Sequence, residues 1–134
     1  MTTRTFVLGT RGSRLALAQS TTVARAIEEA GARLGEDVRV NLEVVRTHGD
    51  VSAEPLATLG GVGVFAAQLR LALLGGECDL AVHSFKDLPT QPVEGLEVIC
   101  VPPREDPRDA LCARDGLTLA DLPEGARVGT LPRR

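Results

Sequence analysis

The chain has no tryptophan, no tyrosine and only three phenylalanines among its 134 residues. Proteins that hold single-stranded nucleic acid stack bases on aromatic side chains, and that equipment is missing here. Positive charge is not in excess either: 15 Lys and Arg stand against 18 Asp and Glu, a formal net charge of −3. Binding to a phosphate backbone depends on such an excess, so nucleic acid is excluded as the main partner. No apolar run approaches the roughly 20 residues that span a bilayer, so no membrane partner is expected. Met1-Thr2-Thr3-Arg4 lacks the apolar core of a signal peptide. Cysteine is scarce and odd in number, three without a CxxC spacing, which argues against a disulfide framework and for a reducing compartment. The expected location is therefore cytoplasmic. No repeat and no low-complexity tract is visible. A chain of this length makes one ordinary domain and can bury a core without staples.

What is present is an alternation of strand-like and helix-like segments. Thr5 to Thr10 reads as a strand. Ser13 can cap a helix running to about Ala30, with Ala16, Val23, Ile27 and Ala30 at helical spacing and Gly31 as its stop. Between Val38 and Val45, Val38, Val40, Leu42 and Val44 alternate with Arg39, Asn41 and Glu43, so one face of this strand is expected to be wet. A glycine-rich stretch ending in Gly60-Gly61-Val62-Gly63 leads into a second helix, Val64 to Leu74. Phe65, Leu69, Ala72 and Leu73 form its core stripe, and Gly75-Gly76 end it. Asp79 opens a third strand, and Leu96 to Val101 reads as a fourth before Pro102-Pro103 break the chain. This order predicts an α/β fold, a mainly parallel sheet flanked by helices. Its core is expected from Val7, Val40, Val44, Leu80, Val82 and Val98, with the residues beyond Pro103 packing poorly.

Two strand ends carry the chemistry. Asp79-Leu80-Ala81-Val82-His83-Ser84-Phe85-Lys86-Asp87-Leu88-Pro89 ends an apolar run in a hydroxyl, an ammonium and a carboxylate. In open α/β sheets ligands sit at the carboxyl ends of strands. Asp87 could stabilise a developing cation or exchange protons with a substrate nitrogen; it could also be a turn residue before Leu88-Pro89. Lys86 and Asp87 converge only if the chain turns near Phe85, since alternate residues of a strand diverge. The other end is Gly9-Thr10-Arg11-Gly12-Ser13-Arg14. Arg11 and Ser13 stand where a helix begins, and backbone N–H groups there favour anions. Ser13 also reads simply as an N-cap, and Arg11 as a solvated loop charge. Gly60 to Gly63 lack the GxxxxGK[ST] and GxGxxG patterns of phosphate loops and read as a flexible entry or a lid. His48 and His83 show no metal spacing, and no metal site is expected.

Gly9-Thr10-Arg11-Gly12-Ser13-Arg14-Leu15-Ala16-Leu17-Ala18-Gln19, then Ala81-Val82-His83-Ser84-Phe85-Lys86-Asp87-Leu88-Pro89, then Arg104-Glu105-Asp106-Pro107-Arg108-Asp109-Ala110 resemble motifs of the porphobilinogen deaminase (hydroxymethylbilane synthase) family. The resemblance implies one lobe of a type II periplasmic-binding-protein-like fold in residues 1–101. Residues 102–134 would then be a hinge and the truncated start of a second lobe. It implies a transferase of tetrapyrrole (haem) biosynthesis that condenses four porphobilinogens stepwise with loss of ammonia. Asp87 would be the catalytic carboxylate, beside a cationic methylene-pyrrolenine. Arg11, Ser13, Ser84 and Lys86 would bind the acetate and propionate groups of porphobilinogen and of growing oligopyrroles. The family's cofactor is a dipyrromethane, bound through hydroxyls and two arginines of a Gly-Thr-Ser-Ser-Leu-Arg-Arg motif. Thr130, Arg133 and Arg134 match it here, one residue short and without the serines. The cofactor is attached to a Cys of a third domain, and none of Cys78, Cys100 and Cys112 matches that Cys. Lysines frequent in the family's glycine-rich region are replaced by Thr58 and Val62. The expectation is a monomer that does not make hydroxymethylbilane as an isolated chain. The alternative is a non-catalytic carboxylate-binding or anion-binding α/β module.

Overall fold

The computed structural model describes residues 2–46 and 64–130. The expectations for His48, Thr58, the Gly60–Gly63 stretch, Arg133 and Arg134 lie outside the described residues, as does the side chain of Phe65. The first strand, β1 (Arg4–Thr10), leads into helix α1 (Arg14–Arg33) and then strand β2 (Val38–Val44). Helix α2 (Val64–Leu74) precedes a two-residue strand, β3 (Leu80–Ala81). The described strands form one parallel sheet in the order β2-β1-β3. β1 and β2 pair over seven positions, from Arg4 opposite Val38 to Thr10 opposite Val44. β3 pairs only at Leu8–Leu80 and Gly9–Ala81. Flanking bonds lengthen that contact: the Asp79 amide donates to the Val7 carbonyl at 2.9 Å, and the Val7 amide donates back to the Asp79 carboxylate at 2.7 Å.

Successive residues of β1 point to opposite faces, and the two helices use that alternation. Leu8 is fully buried in a cluster with Ala24 of α1 and Val38 and Val40 of β2, against which Phe6, Val23, Ile27, Leu80 and Val82 pack. Burial of a leucine of this kind contributes about 1.5–3 kcal/mol. Gly9 faces the other way: a Cβ built on it would stand 2.8 Å from Cys78 Sγ and 3.2 Å from Leu69 Cδ2. Ala66, Leu69 and Ala72 of α2 are buried, so α2 covers the face opposite α1. Leu69 and Ala72 are the stripe that helical spacing predicts, and the bounds of α2 agree with the sequence reading.

Four expectations are corrected. Gly31 does not end α1. It lies buried inside the helix, where a Cβ would fall 2.5 Å from Val38 Cγ2, so its smallness admits β2. The helix ends two residues later, at Arg33, with Leu34 as its C-cap. The Gly35 amide donates to the Ala32 carbonyl and the Glu36 amide to the Gly31 carbonyl, with Gly35 at φ +74°, the αL arrangement that glycine tolerates best. Leu96 to Val101 form no strand, because this apolar run finds no sheet neighbour among the described residues. Val98, expected in the core, is accordingly exposed. Val44 is also exposed, since it stands at the last position of β2, beyond the buried Val38 and Val40. Arg39, Asn41 and Glu43 are exposed, the wet face that the alternation of β2 predicts. The Val40 amide donates to Glu28 Oε1 of α1 at 3.0 Å, tying helix to strand.

By its internal contacts the chain divides into Met1–Ile99 and Cys100–Arg134. In the second unit the described residues form two short 3₁₀ turns, Arg114–Gly116 and Leu119–Asp121. Ala113, Leu117 and Leu122 are half-buried there, and the other described residues are exposed. Local polar bonds organise it. The Arg108 guanidinium and main-chain amide both donate to Asp106, holding that carboxyl below its usual range. Thr118 and Asp121 make a reciprocal capping box that does the same for Asp121.

Candidate functional site

β1 and β3 are parallel neighbours, so the segments that follow them leave the sheet at the same edge. The first carries Arg11, half-buried, and Ser13. Ser13 is the N-cap of α1: its Oγ accepts the Ala16 amide at 3.3 Å, and its carbonyl accepts the Leu17 amide. The sequence reading of Ser13 as a cap is therefore correct. The remaining amides of the first turn keep the partial positive charge of a helix start.

The second segment carries Ser84, Lys86 and Asp87. Phe85–Asp87 is a 3₁₀ turn in which the Asp87 amide donates to the Ser84 carbonyl at 3.0 Å and the Leu88 amide to the Phe85 carbonyl at 3.1 Å. This is the turn near Phe85 that the strand-end argument requires. Lys86 is exposed and Asp87 half-buried. Leu88, in extended conformation before Pro89, ends the turn. Ser84 Oγ donates to Gln19 Oε1 of α1 at 3.2 Å. One helix thus touches both segments, through its cap on the first and through Gln19 on the second. Gln19 was not singled out from the sequence as a site residue. Within Gly9–Gln19 it is a polar residue two turns into α1, and nothing local marks it apart from a solvated one.

Sequence reading also missed Thr10 and Ser20. Both are completely buried, and Ser20 Oγ donates to Thr10 Oγ1 at 2.7 Å. The available signal was that Ser20 stands four residues from both Ala16 and Ala24, on the stripe that faces the sheet. His83 is half-buried, with Nδ1 3.0 Å from the Ser84 carbonyl oxygen. His83 thus lies two residues past β3 and outside any strand. Cys78, just beyond α2, is buried against Gly9; burial pushes its thiol pKa up, Asp79, Glu77 and Glu43 add to the rise, and the Gly9 backbone opposes it. A thiol held neutral is a poor nucleophile. Thr130 lies exposed in the second unit.

The two segments carry a guanidinium, an ammonium, hydroxyls and the amides of a helix start, and one carboxylate, that of Asp87. That donor set suits a ligand that carries carboxylates and develops positive charge elsewhere. Among the described residues no group of three His, Cys, Asp or Glu could hold a metal ion. No described helix is long and apolar enough to cross a membrane. A shallow hollow lined by Thr2, Thr3, Arg4, Gly35, Glu36 and Asp37 lies at the opposite, amino end of β1 and brings no such set together.

Comparison with known proteins points the same way. The family described as "Porphobilinogen deaminase, dipyromethane cofactor binding domain" matches residues 6–134. The porphobilinogen deaminase of Leifsonia xyli subsp. xyli is 58% identical over 128 residues, 95% of this chain and 37% of that protein. That of Micrococcus luteus is 59% identical over 128 residues, 95% of this chain and 33% of its own length. Porphobilinogen deaminase 1 of Streptomyces coelicolor is 56% identical over 135 residues, 100% of this chain and 41% of its own. The chain thus spans between a third and about two fifths of the length of these curated relatives.

Proposed function

The chain belongs to the porphobilinogen deaminase family, and on that premise we propose that its two strand-end segments form one wall of a hydroxymethylbilane synthase site. The observation that carries this reading is the pairing of Arg11 and Ser13 on one strand end with Ser84, Lys86 and Asp87 on its parallel neighbour. Porphobilinogen and oligopyrroles are polyanions. Arg11 offers a two-pronged donor to their carboxylates, Lys86 a point charge and Ser84 a hydroxyl. Asp87 sits on a tight turn within the same segment. Its carboxylate stabilises the positive charge that spreads into a pyrrole nitrogen as ammonia departs, and it can pass a proton to or from that nitrogen.

Dipyrromethane, when bound, supplies the pyrrole from which chain growth begins. The donors present fit a carboxylate-bearing dipyrrole, and Thr130, Arg133 and Arg134 are the further residues proposed to contact it. Cys78 is not assigned as its attachment point, because it is enclosed between β1 and α2. The finer architecture proposed is one type II periplasmic-binding-protein-like lobe up to about residue 101, followed by a hinge and the opening of a second lobe. The strand-helix alternation and the parallel register support it. The chain is further proposed to act as a monomer in the cytoplasm.

Lys86 is the only lysine of the sequence, and this makes a direct test available. Acetylation by a water-soluble ester, followed by mass spectrometry, compares Lys86 with the α-amino group as an internal reference. Porphobilinogen should slow acetylation of Lys86 selectively. Unchanged labelling at saturating porphobilinogen would place the ligand elsewhere and defeat this reading. Protection without turnover in a complete enzyme carrying this segment would favour the non-catalytic anion-binding alternative.

A further inference from the structure

Ser20 stands on the buried stripe of α1, where alanine would fill the space without a polar atom. Thr10 ends β1, where valine would do the same. Both residues have no exposed surface. Hydroxyls removed from water need partners, and here the partners form a chain. Ser20 Oγ donates to Thr10 Oγ1 at 2.7 Å, and Thr10 Oγ1 donates to the Arg11 carbonyl oxygen at 3.3 Å. The Thr10 carbonyl in turn accepts the Val45 amide at 2.8 Å. The main chain entering Arg11 is therefore fastened to both α1 and the end of β2. Two residues later the segment is fastened again, by the Ser13 cap. Arg11 and Gly12 span the interval between these two fixed points.

The geometry points to Thr10 and Ser20 as positioning residues, a buried hydroxyl relay that sets where the Arg11 guanidinium meets a carboxylate of the pyrrole ligand. This rests on the reading of the strand ends given above. The physical reason is that a two-pronged carboxylate contact tolerates little displacement, while a long side chain reaches only from where its main chain starts. A hydroxyl pair adds directionality that packing alone lacks. It restricts how the strand end meets the helix, because an alkyl pair could slide and a donor-acceptor pair cannot.

The test uses the 134-residue chain. Thr10→Val with Ser20→Ala removes both hydroxyls at nearly constant volume and leaves neither one buried and unpaired, so the fold should survive. Porphobilinogen is titrated into ¹⁵N-labelled protein, and backbone order parameters are measured without ligand. The relay predicts an affinity loss of about three- to tenfold, a fraction of a full charge-assisted contact. It also predicts reduced order at Arg11 and Gly12 with Leu8 unchanged. Thr10→Ser keeps the hydroxyl and sheds a methyl group, so it should keep affinity and order even where it lowers the melting temperature. Unchanged affinity or order in the double variant would overturn the relay. So would a loss that follows melting temperature across all variants, Thr10→Ser included. Failure of the unsubstituted chain to bind porphobilinogen defeats the functional reading instead. Selective loss of order at Arg11 and Gly12 would then still support the relay's hold on the loop, and its absence would overturn it. Should the double variant not fold, Ser20→Ala alone supplies the same readouts, because Thr10 then loses its donor.

Discussion

The two strand ends that carry the candidate site are neighbours in one sheet, yet they are held in different ways. β1 pairs over seven residues and is fully buried at Leu8 and Thr10. β3 pairs over two, and every residue from Leu80 to Asp87 is half-buried or exposed. Arg11 and Ser13, proposed to bind anions, thus follow directly on the best-paired described strand. Lys86 and Asp87 ride on a single 3₁₀ turn joined to α1 by the Ser84–Gln19 bond. Segments with few buried contacts open at lower free energy than core strands. The comparison separates a first arm, which follows a seven-residue strand pairing, from a second arm, which follows a two-residue pairing.

The largest effect is expected on the second arm and in chemistry alone. Asp87→Asn, in a complete enzyme carrying this segment, should lower turnover on the order of 10²-fold or more, the usual cost of removing one preorganised charge-stabilising group. The melting temperature should stay put. Near-normal uroporphyrin yield after oxidation of the product would remove Asp87 from the chemistry. At the far end of α1, where it packs on the start of β2, the large effect should be on stability. Gly31→Ala forces a Cβ against Val38, whose own Cβ is only 2.8 Å from the added atom, so the side chain cannot swing away. Overpacking of this kind costs about 1–3 kcal/mol, read from urea melts; a wild-type midpoint would show that α1 shifts freely over β2.

The junction between the arms should respond to pH. Burial raises the Cys78 pKa in the folded chain. Above the ordinary thiol value of about 8.5 the unfolded chain ionises Cys78 while the folded chain keeps it neutral. Stability is therefore unaffected below that range and falls as pH rises through it, until the folded thiol ionises too. Urea melts at about pH 7.5 and about pH 9.5 should show the drop, and Cys78→Ala should flatten it. An equal drop in the variant would assign the effect to other groups. The smallest effect is expected for Ser84→Ala, which loses one exposed hydrogen bond to Gln19. Stability should change by about 0.5 kcal/mol or less. A cost several times larger would mean that the second arm is held as firmly as the first.

Periodicity made the first arm legible. The alternation Val38, Val40, Leu42, Val44 and the helical spacing of Val23 and Ile27 located β2 and α1 within a residue or a few. The strand-end rule put Arg11, Lys86 and Asp87 after two strands, and they do follow β1 and β3, which are parallel neighbours. Three features stayed hidden for physical reasons. Gly31 reads as a helix stop because glycine is usually placed by its backbone, whereas here its missing side chain matters. Leu96 to Val101 has strand composition, but composition cannot supply a pairing partner. Thr10 and Ser20 carry side chains common on surfaces, and only the burial of both at once turns them into a relay. The arm of Ser84, Lys86 and Asp87 was legible as chemistry but not as shape, since one turn of 3₁₀ helix leaves no period to detect.

The bond from the Val40 amide to Glu28 has a consequence beyond joining helix to strand. β2 is an outer strand of the described sheet, and an outer strand is a template on which a foreign chain can add itself. Midway along β2 the amide is already occupied by a carboxylate reaching over from α1. An intruding strand would have to displace a negative charge before gaining its first acceptor contact there. The bond to Glu28 thus withdraws one ladder donor from this border of the sheet, and a shorter side chain at that position would leave that donor free for an added strand.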